Sequence, residues 1–344
     1  MLIHKLIEVN IRNIPPKWTI FAIICGLYPD MSFFKRTNSS SGRWSEKLPF
    51  CVGGLLVVSA AAFALLIFVA SLAKTDVDFT ILCEDSRLAS VKSVEITPDS
   101  QLVIPATVGY FWDKYRTLRV ENHAYESSTD FTSLVISEGV EEIGYSSFYG
   151  CKNMRSVVLP KSLRSISDGA FYGCSSLEEL TLPPYLESMG EYVFERCTGL
   201  SKVVISDGIM ELPRSIFCGC ESLTEVYFPI SLVTIEPLAF KDCVSLTEVV
   251  LPSGLLDLGG CTFEMCTSLR RVVIPQDVRG LGVTAFNGCE NLVDVECLAT
   301  VPPPLGTSVF DGISKEAVLH VPAGCVHAYK ISPWAPFFAD IVEL

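Results

Sequence analysis

Phe148, Phe171, Phe194, Phe217, Phe240, Phe263 and Phe286 stand 23 residues apart without one slip. Three residues after each comes a cysteine: Cys151, Cys174, Cys197, Cys220, Cys243, Cys266 and Cys289. A period held this strictly over seven copies means one supersecondary unit stacked on itself, so the chain reads as a solenoid. Such a stack presents a long regular surface, which favours binding over catalysis.

A single period shows how the unit is built. Leu180 and Leu182 alternate with polar neighbours as a short strand does. Their counterparts are Val157/Leu159, Val203/Ile205, Val226/Phe228, Val249/Leu251 and Val272/Ile274. Stacked coils pair such strands in parallel, about 4.8 Å apart. Pro160, Pro183, Pro229, Pro252 and Pro275 close the strand, with Ser206 the exception, because proline has no N–H to continue a ladder. A second apolar pair follows, such as Leu163/Ile166, Leu186/Met189, Leu232/Ile235 and Leu255/Leu258, and then a short turn or helical stretch carrying the Phe. Gly150, Gly173, Gly219 and Gly288 precede the cysteine, as a left-handed cap prefers. Arg196, Asp242 and Met265 hold the same slot, which predicts that positive φ is not required there. A lone coil buries too little apolar surface to offset the ordering of its backbone, so coils must share faces and both ends need caps.

Both caps are legible. Upstream, Tyr125 replaces the Phe, Ser128 the Cys, and Leu134/Ile136 form the strand. Further back, Leu102-Val-Ile104-Pro105 matches a strand end, and the spacing from Pro105 to Val120 implies an insertion of nine residues. Downstream, Phe310 follows Phe286 by 24, and Leu319-His-Val321-Pro322 is read as a last strand. Tyr329, Trp334, Phe337 and Phe338 are then available to cover the open end of the core.

Leu48 to Ala73 is a run of 26 residues without a charge, long enough to span a bilayer. Lys35, Arg36, Arg43 and Lys47 precede it, and Asp76, Asp78, Glu84 and Asp85 follow. The positive-inside rule therefore keeps residues 1–47 in the cytoplasm and the repeats outside. A signal peptide cut after the small residues Ser71 and Ala73 is the competing reading, and Met31 is an alternative start. Residues 1–73 are net +4, whereas residues 74–344 carry 19 Lys/Arg against 36 Asp/Glu, net −17. An acidic body without a basic stripe repels phosphate backbones, which argues against nucleic acid as a partner.

The pattern L-x-x-L-x-L-P-x-x-L-x-x-I-x-x-x-A-F-x-x-C, present as Leu177 to Cys197 with Val193 at the Ala position, resembles the BspA-type leucine-rich repeats of bacterial surface proteins. The tail VPAGCVHAYKISPWAPFFADIVEL resembles the C-terminal cap of members from gut Bacteroidetes, and residues 78–118 resemble their β-rich N-terminal cap more loosely. The resemblance covers about residues 77–344. It implies an α/β-type, right-handed leucine-rich repeat solenoid with a parallel sheet on one face and, in some members, adhesion to surface molecules. The chain then divides into a cytoplasmic segment 1–47, a transmembrane anchor 48–73, an N-terminal cap 74–121, repeats 122–296 and a C-terminal cap 297–344.

No H-E-x-x-H, G-x-S-x-G or phosphate-loop pattern occurs, so the chain is not read as an enzyme, and no cofactor or metal is expected. The ladder cysteines read as reduced thiols in a small apolar slot, because equivalent Cβ vectors on stacked coils run parallel instead of converging. The off-ladder Cys218, Cys261, Cys297 and Cys325 are less constrained, and disulfides among them, such as Cys297–Cys325, are left open. His320, His327 and Asp340 are a weak candidate cluster in the C-terminal cap. The better candidate is the strand face. Val158, Thr181, Val204, Tyr227, Val250, Val273 and Glu296 form one outward column, and Ser156, Glu179, Lys202, Glu225, Glu248, Arg271 and Asp294 form its neighbour. An apolar stripe flanked by charge suits recognition of an extracellular or envelope protein or glycan, with Lys202 and Arg271 as polar contacts. The bland reading is that β-branched residues simply suit a parallel sheet, which leaves a structural envelope protein without a ligand.

Overall fold

The computed structural model describes residues 77–84, 86–110 and 113–344. The apolar run Leu48–Ala73, the segment 1–47 and the choice of start at Met31 lie outside the described residues. Among the described residues no helix is long and apolar enough to cross a membrane.

The alternating apolar pairs form the strands expected of them. One face of the stack is a six-stranded parallel run: Gln101–Ile104, Ser133–Ile136, Ser156–Val158, Glu179–Leu182, Lys202–Ile205 and Glu225–Tyr227. A second run of five continues it with Glu248–Val250, Arg271–Ile274, Asp294–Cys297, Val318–Val321 and Asp340–Glu343. Register advances one period per strand, with Leu180 beside Val203 and Val203 beside Val226. The strand expected to be last, Val318–Val321, has a further parallel neighbour in Asp340–Glu343. That strand was hidden because the cap that delivers it breaks the period.

The second apolar pair makes another ladder of two-residue strands, such as Ser165–Ile166 and Ser188–Met189. This ladder is interrupted between Ser188–Met189 and Glu211–Leu212. The cause is visible in one slot. Gly144, Ser167, Gly190, Glu236, Gly259 and Gly282 each donate their N–H to the previous coil. Pro213 holds that slot in the interrupted coil and has no N–H to give.

The segment carrying each Phe consists of successive turns, with no helix. Alternate N–H groups along it reach the next coil instead of folding back: Ser146 to Asp168, Phe148 to Ala170 and Gly150 to Tyr172. Two residues per coil, four apart, have positive φ, a sign that a right-handed helix does not tolerate. The slot before the cysteine is one of them, and the expectation that it would relax is wrong. Arg196 (φ 59°), Asp242 (φ 60°) and Met265 (φ 63°) take the same left-handed conformation as Gly173 (φ 68°). Coil-to-coil hydrogen bonding fixes the backbone there whatever the side chain.

The Phe rings are fully buried and stacked, with centroids 5.1–5.7 Å apart from Phe148 to Phe286. Beside them each ladder thiol donates to the Phe carbonyl one coil back: Cys174 to Phe148 at 3.2 Å, Cys220 to Phe194 at 3.4 Å and Cys289 to Phe263 at 3.2 Å. The cysteine therefore does more than fill space, because it adds a donor to a buried carbonyl. Cys151 heads the series on the carbonyl of Tyr125, the residue that replaces Phe in the first coil.

Both ends close this column. Tyr125 stacks on Phe148 at 5.4 Å. At the other end Phe310 meets Trp334, Phe337 and Phe338 at 5.2–5.8 Å. Trp334 Nε1 donates to the Pro303 carbonyl, and the Tyr329 hydroxyl donates to Ala299, which satisfies both polar tips in the core. At the N-terminal end the nine inserted residues fall in a hairpin, Thr107–Tyr110 with Asp113–Val120. Val77–Cys83 pairs antiparallel with Leu88–Val94, which in turn pairs with Asp113–Val120.

Two predictions follow from this backbone and its thiols. Gly173→Ala should cost about 1–2 kcal/mol through its positive φ alone, since a Cβ there meets nothing closer than 3.9 Å. Met265→Gly should instead gain about 0.5–1 kcal/mol, and urea unfolding midpoints check both signs. Burial pushes the thiols of Cys151 and Cys289 up to about 12 and raises those of Cys174, Cys220, Cys243 and Cys266. The fold holds them protonated, so their contribution is complete below the ordinary thiol value of about 8.5 and is lost as pH rises above it. Each costs about 1.4 kcal/mol per pH unit in that window. Under reducing conditions Tm should be level to about pH 8 and fall steeply above about pH 9; a level Tm to about pH 11 would refute the thiol account.

Candidate functional site

The outward positions follow from strand alternation. Val158, Tyr227 and Val250 are exposed by 56%, 52% and 53%, Thr181 is exposed, and Val204 is half-buried. Val273 departs from the column: it is only 9% exposed. Its register neighbours are Val250 and Glu296, and the Glu296 carboxylate is drawn back to Arg271, two residues along Val273's own strand. Val273 thus sits in the angle of an ion pair and is removed from the exposed stripe.

Arg271 is the hub of the charged column. Its guanidinium bonds Glu296 at 2.6 Å through Nη2 and Glu248 through Nη1, and Nε lies 3.4 Å from Asp294. The hydrogen bond to Glu296 is the main reason its pKa is raised above the ordinary guanidinium value. Lys202 is committed as well: its Nζ lies 3.5 Å from Glu225 and 5.3 Å from the centre of the Tyr227 ring. Tyr227 in turn donates its hydroxyl to Glu225 at 3.1 Å. Neither cation expected to contact a ligand projects unpaired.

One place on this face is irregular. Glu225–Tyr227 ends the six-stranded run and Glu248–Val250 begins the five-stranded one, so these neighbouring coils do not pair as a ladder. Glu225 and Glu248 hold equivalent slots there, and two like charges side by side oppose pairing. Lys202 draws Glu225 to one side and Arg271 draws Glu248 to the other. Val226 and Phe228, expected in the core, are accordingly only half-buried. Val157 and Leu159 show the same half-burial where Ser156–Val158 meets the next strand through a single pair, Ser156 with Glu179.

Beside the gap lies a groove of about 550 Å³ lined by Phe228, Val250, Leu251, Pro252, Val273 and Leu298, among others. Ile230, 73% exposed, lies just beyond Phe228 in the sequence. The sequence reading found Val250 and Val273 but missed Phe228, Leu251 and Leu298. The consecutive acids Glu225 and Glu248 were the signal that could have located the opening.

The other candidates disperse. His320 lies 3.4 Å from Asp294, while Asp340 pairs with Lys330, so His320, His327 and Asp340 do not converge. Cys297 and Cys325 are both free, and Cys297 Sγ lies 3.1 Å from the Tyr329 hydroxyl oxygen. Cys220 is buried and Cys218 is half-exposed. Among the described residues no group of three His, Cys, Asp or Glu side chains is arranged to hold a metal.

The family model for the BspA type leucine-rich repeat region matches in six copies, over residues 119–243 and 197–317. A leucine-rich repeat protein from Bacteroides ovatus shares the fold, with TM-score 0.53 and 20% identity over 78% of this chain and 75% of that one. A leucine-rich cell surface protein from Faecalibacterium prausnitzii aligns with TM-score 0.46 and 18% identity, over 78% of this chain and 93% of that one. No curated protein matches the chain.

Arg271→Met should leave three carboxylates around an uncharged side chain. We expect Tm to fall by about 2–4 °C at low ionic strength, with the loss shrinking at about 1 M salt; calorimetry at the two salt levels checks this.

Proposed function

The chain belongs to the BspA-type leucine-rich repeat family, and from that premise we propose that it is a membrane-anchored, extracytoplasmic module that binds a protein or glycan through its strand face. The supporting observation is the apolar groove at the one gap in that face, beside the exposed side chains of Tyr227 and Val250. Apolar surface stays open beside this gap, and such patches mark interaction sites. The charge-free run Leu48–Ala73, basic before and acidic after, supports an anchor with the repeats on the far side of the membrane. A binding module needs no catalytic constellation, and the sequence carries no catalytic motif.

A photoreactive residue at position 204 in intact cells should crosslink a partner identifiable by mass spectrometry. Affinity for that partner should fall about tenfold or more in the Val204→Glu/Tyr227→Ala/Val250→Glu variant. Unchanged affinity in a variant of unaltered Tm would show that the face is wrong.

A further inference from the structure

The acids around the groove narrow what can occupy it. In the charged column each cation is already neutralised: Lys202 by Glu225, and Arg271 by Glu248, Asp294 and Glu296. The column therefore presents surplus carboxylate on a body that is net −17. Glu225 and Glu248, both exposed, border the gap in the sheet. Tyr227 and Val250 stand two residues further along the same strands, a distance of about 6.6 Å. Glu248 and the groove-lining Val250 are thus separated by one strand repeat.

We propose that the groove takes an extended basic segment of a partner polypeptide, with an apolar side chain seated against Phe228, Val250 and Leu298. A Lys or Arg two residues away would lie between Glu225 and Glu248. The spacing carries the argument. In an extended chain alternate side chains share a face and recur about every 6.6 Å, which matches the offset along the strand from Glu248 to the groove-lining Val250. Sulfated or sialylated glycans and other polyanions are repelled by the same field. This inference rests on the strand face being the binding surface and adds the chemistry of the partner.

Labelled peptides test it on the full-length chain in neutral detergent, read by fluorescence anisotropy. The probe is Ser-Lys-Ser-Leu-Ser-Lys-Ser-Leu-Ser, and the control has Glu in place of Lys. We expect the Lys peptide to bind about tenfold or more tighter than the Glu peptide, with the difference collapsing at about 0.5 M salt. Glu225→Gln/Glu248→Gln should lower that preference about fivefold or more, and Val250→Ser/Leu298→Ser should weaken the Lys peptide about tenfold, with circular dichroism verifying that each variant is folded. Equal binding of the two peptides that is still weakened by Val250→Ser/Leu298→Ser overturns the basic partner and leaves the strand face standing. Binding that ignores both double variants, or no saturable binding, overturns the groove as a peptide site.

Discussion

Everything in this fold depends on the rung formed between successive coils by a stacked Phe ring and a donated thiol. The ring supplies apolar area and the S–H satisfies a carbonyl that is already buried. Each rung joins residues 26 apart in sequence but one coil apart in space. A coil without neighbours has neither the ring contact nor the acceptor. The stack is consequently cooperative along its axis, and its ends need residues that imitate a further coil. Tyr125 does this at one end, with a ring parallel to Phe148. Trp334 and Phe338 do it at the other by turning across Phe310.

Much of this was legible because the same side chain recurs in the same surroundings. The Phe, the Cys, the strand pairs and the proline that ends them were readable from spacing, as was the insertion that becomes the Thr107–Tyr110 hairpin. What escaped was set by the backbone of neighbouring coils. Arg196, Asp242 and Met265 gave no sign of a left-handed conformation, since an ordinary side chain there normally means negative φ. The hydrogen-bond frame built by the coils on either side imposes it. Pro213 could have been read as a ladder break, but only once the donating slot is known.

The outward strand face follows the same logic in reverse. Alternation placed Val158, Thr181, Tyr227 and Val250 outward, yet it could not foresee that Glu296 would fold back to Arg271 and shelter Val273. Nor does periodicity reveal where the sheet parts. That depends on two acids meeting in consecutive slots, with a cation on the outer side of each. The regular residues build the stack, and the departures from regularity shape its outward surface.

The strand face parts between Glu225–Tyr227 and Glu248–Val250, and the groove opens beside that gap. Amide hydrogen exchange on the free full-length chain tests this directly. The account predicts faster exchange in Glu225–Tyr227 and Glu248–Val250 than in Lys202–Ile205 and Arg271–Ile274, which lie in paired ladders on either side. Uniform protection across all four strands would contradict it.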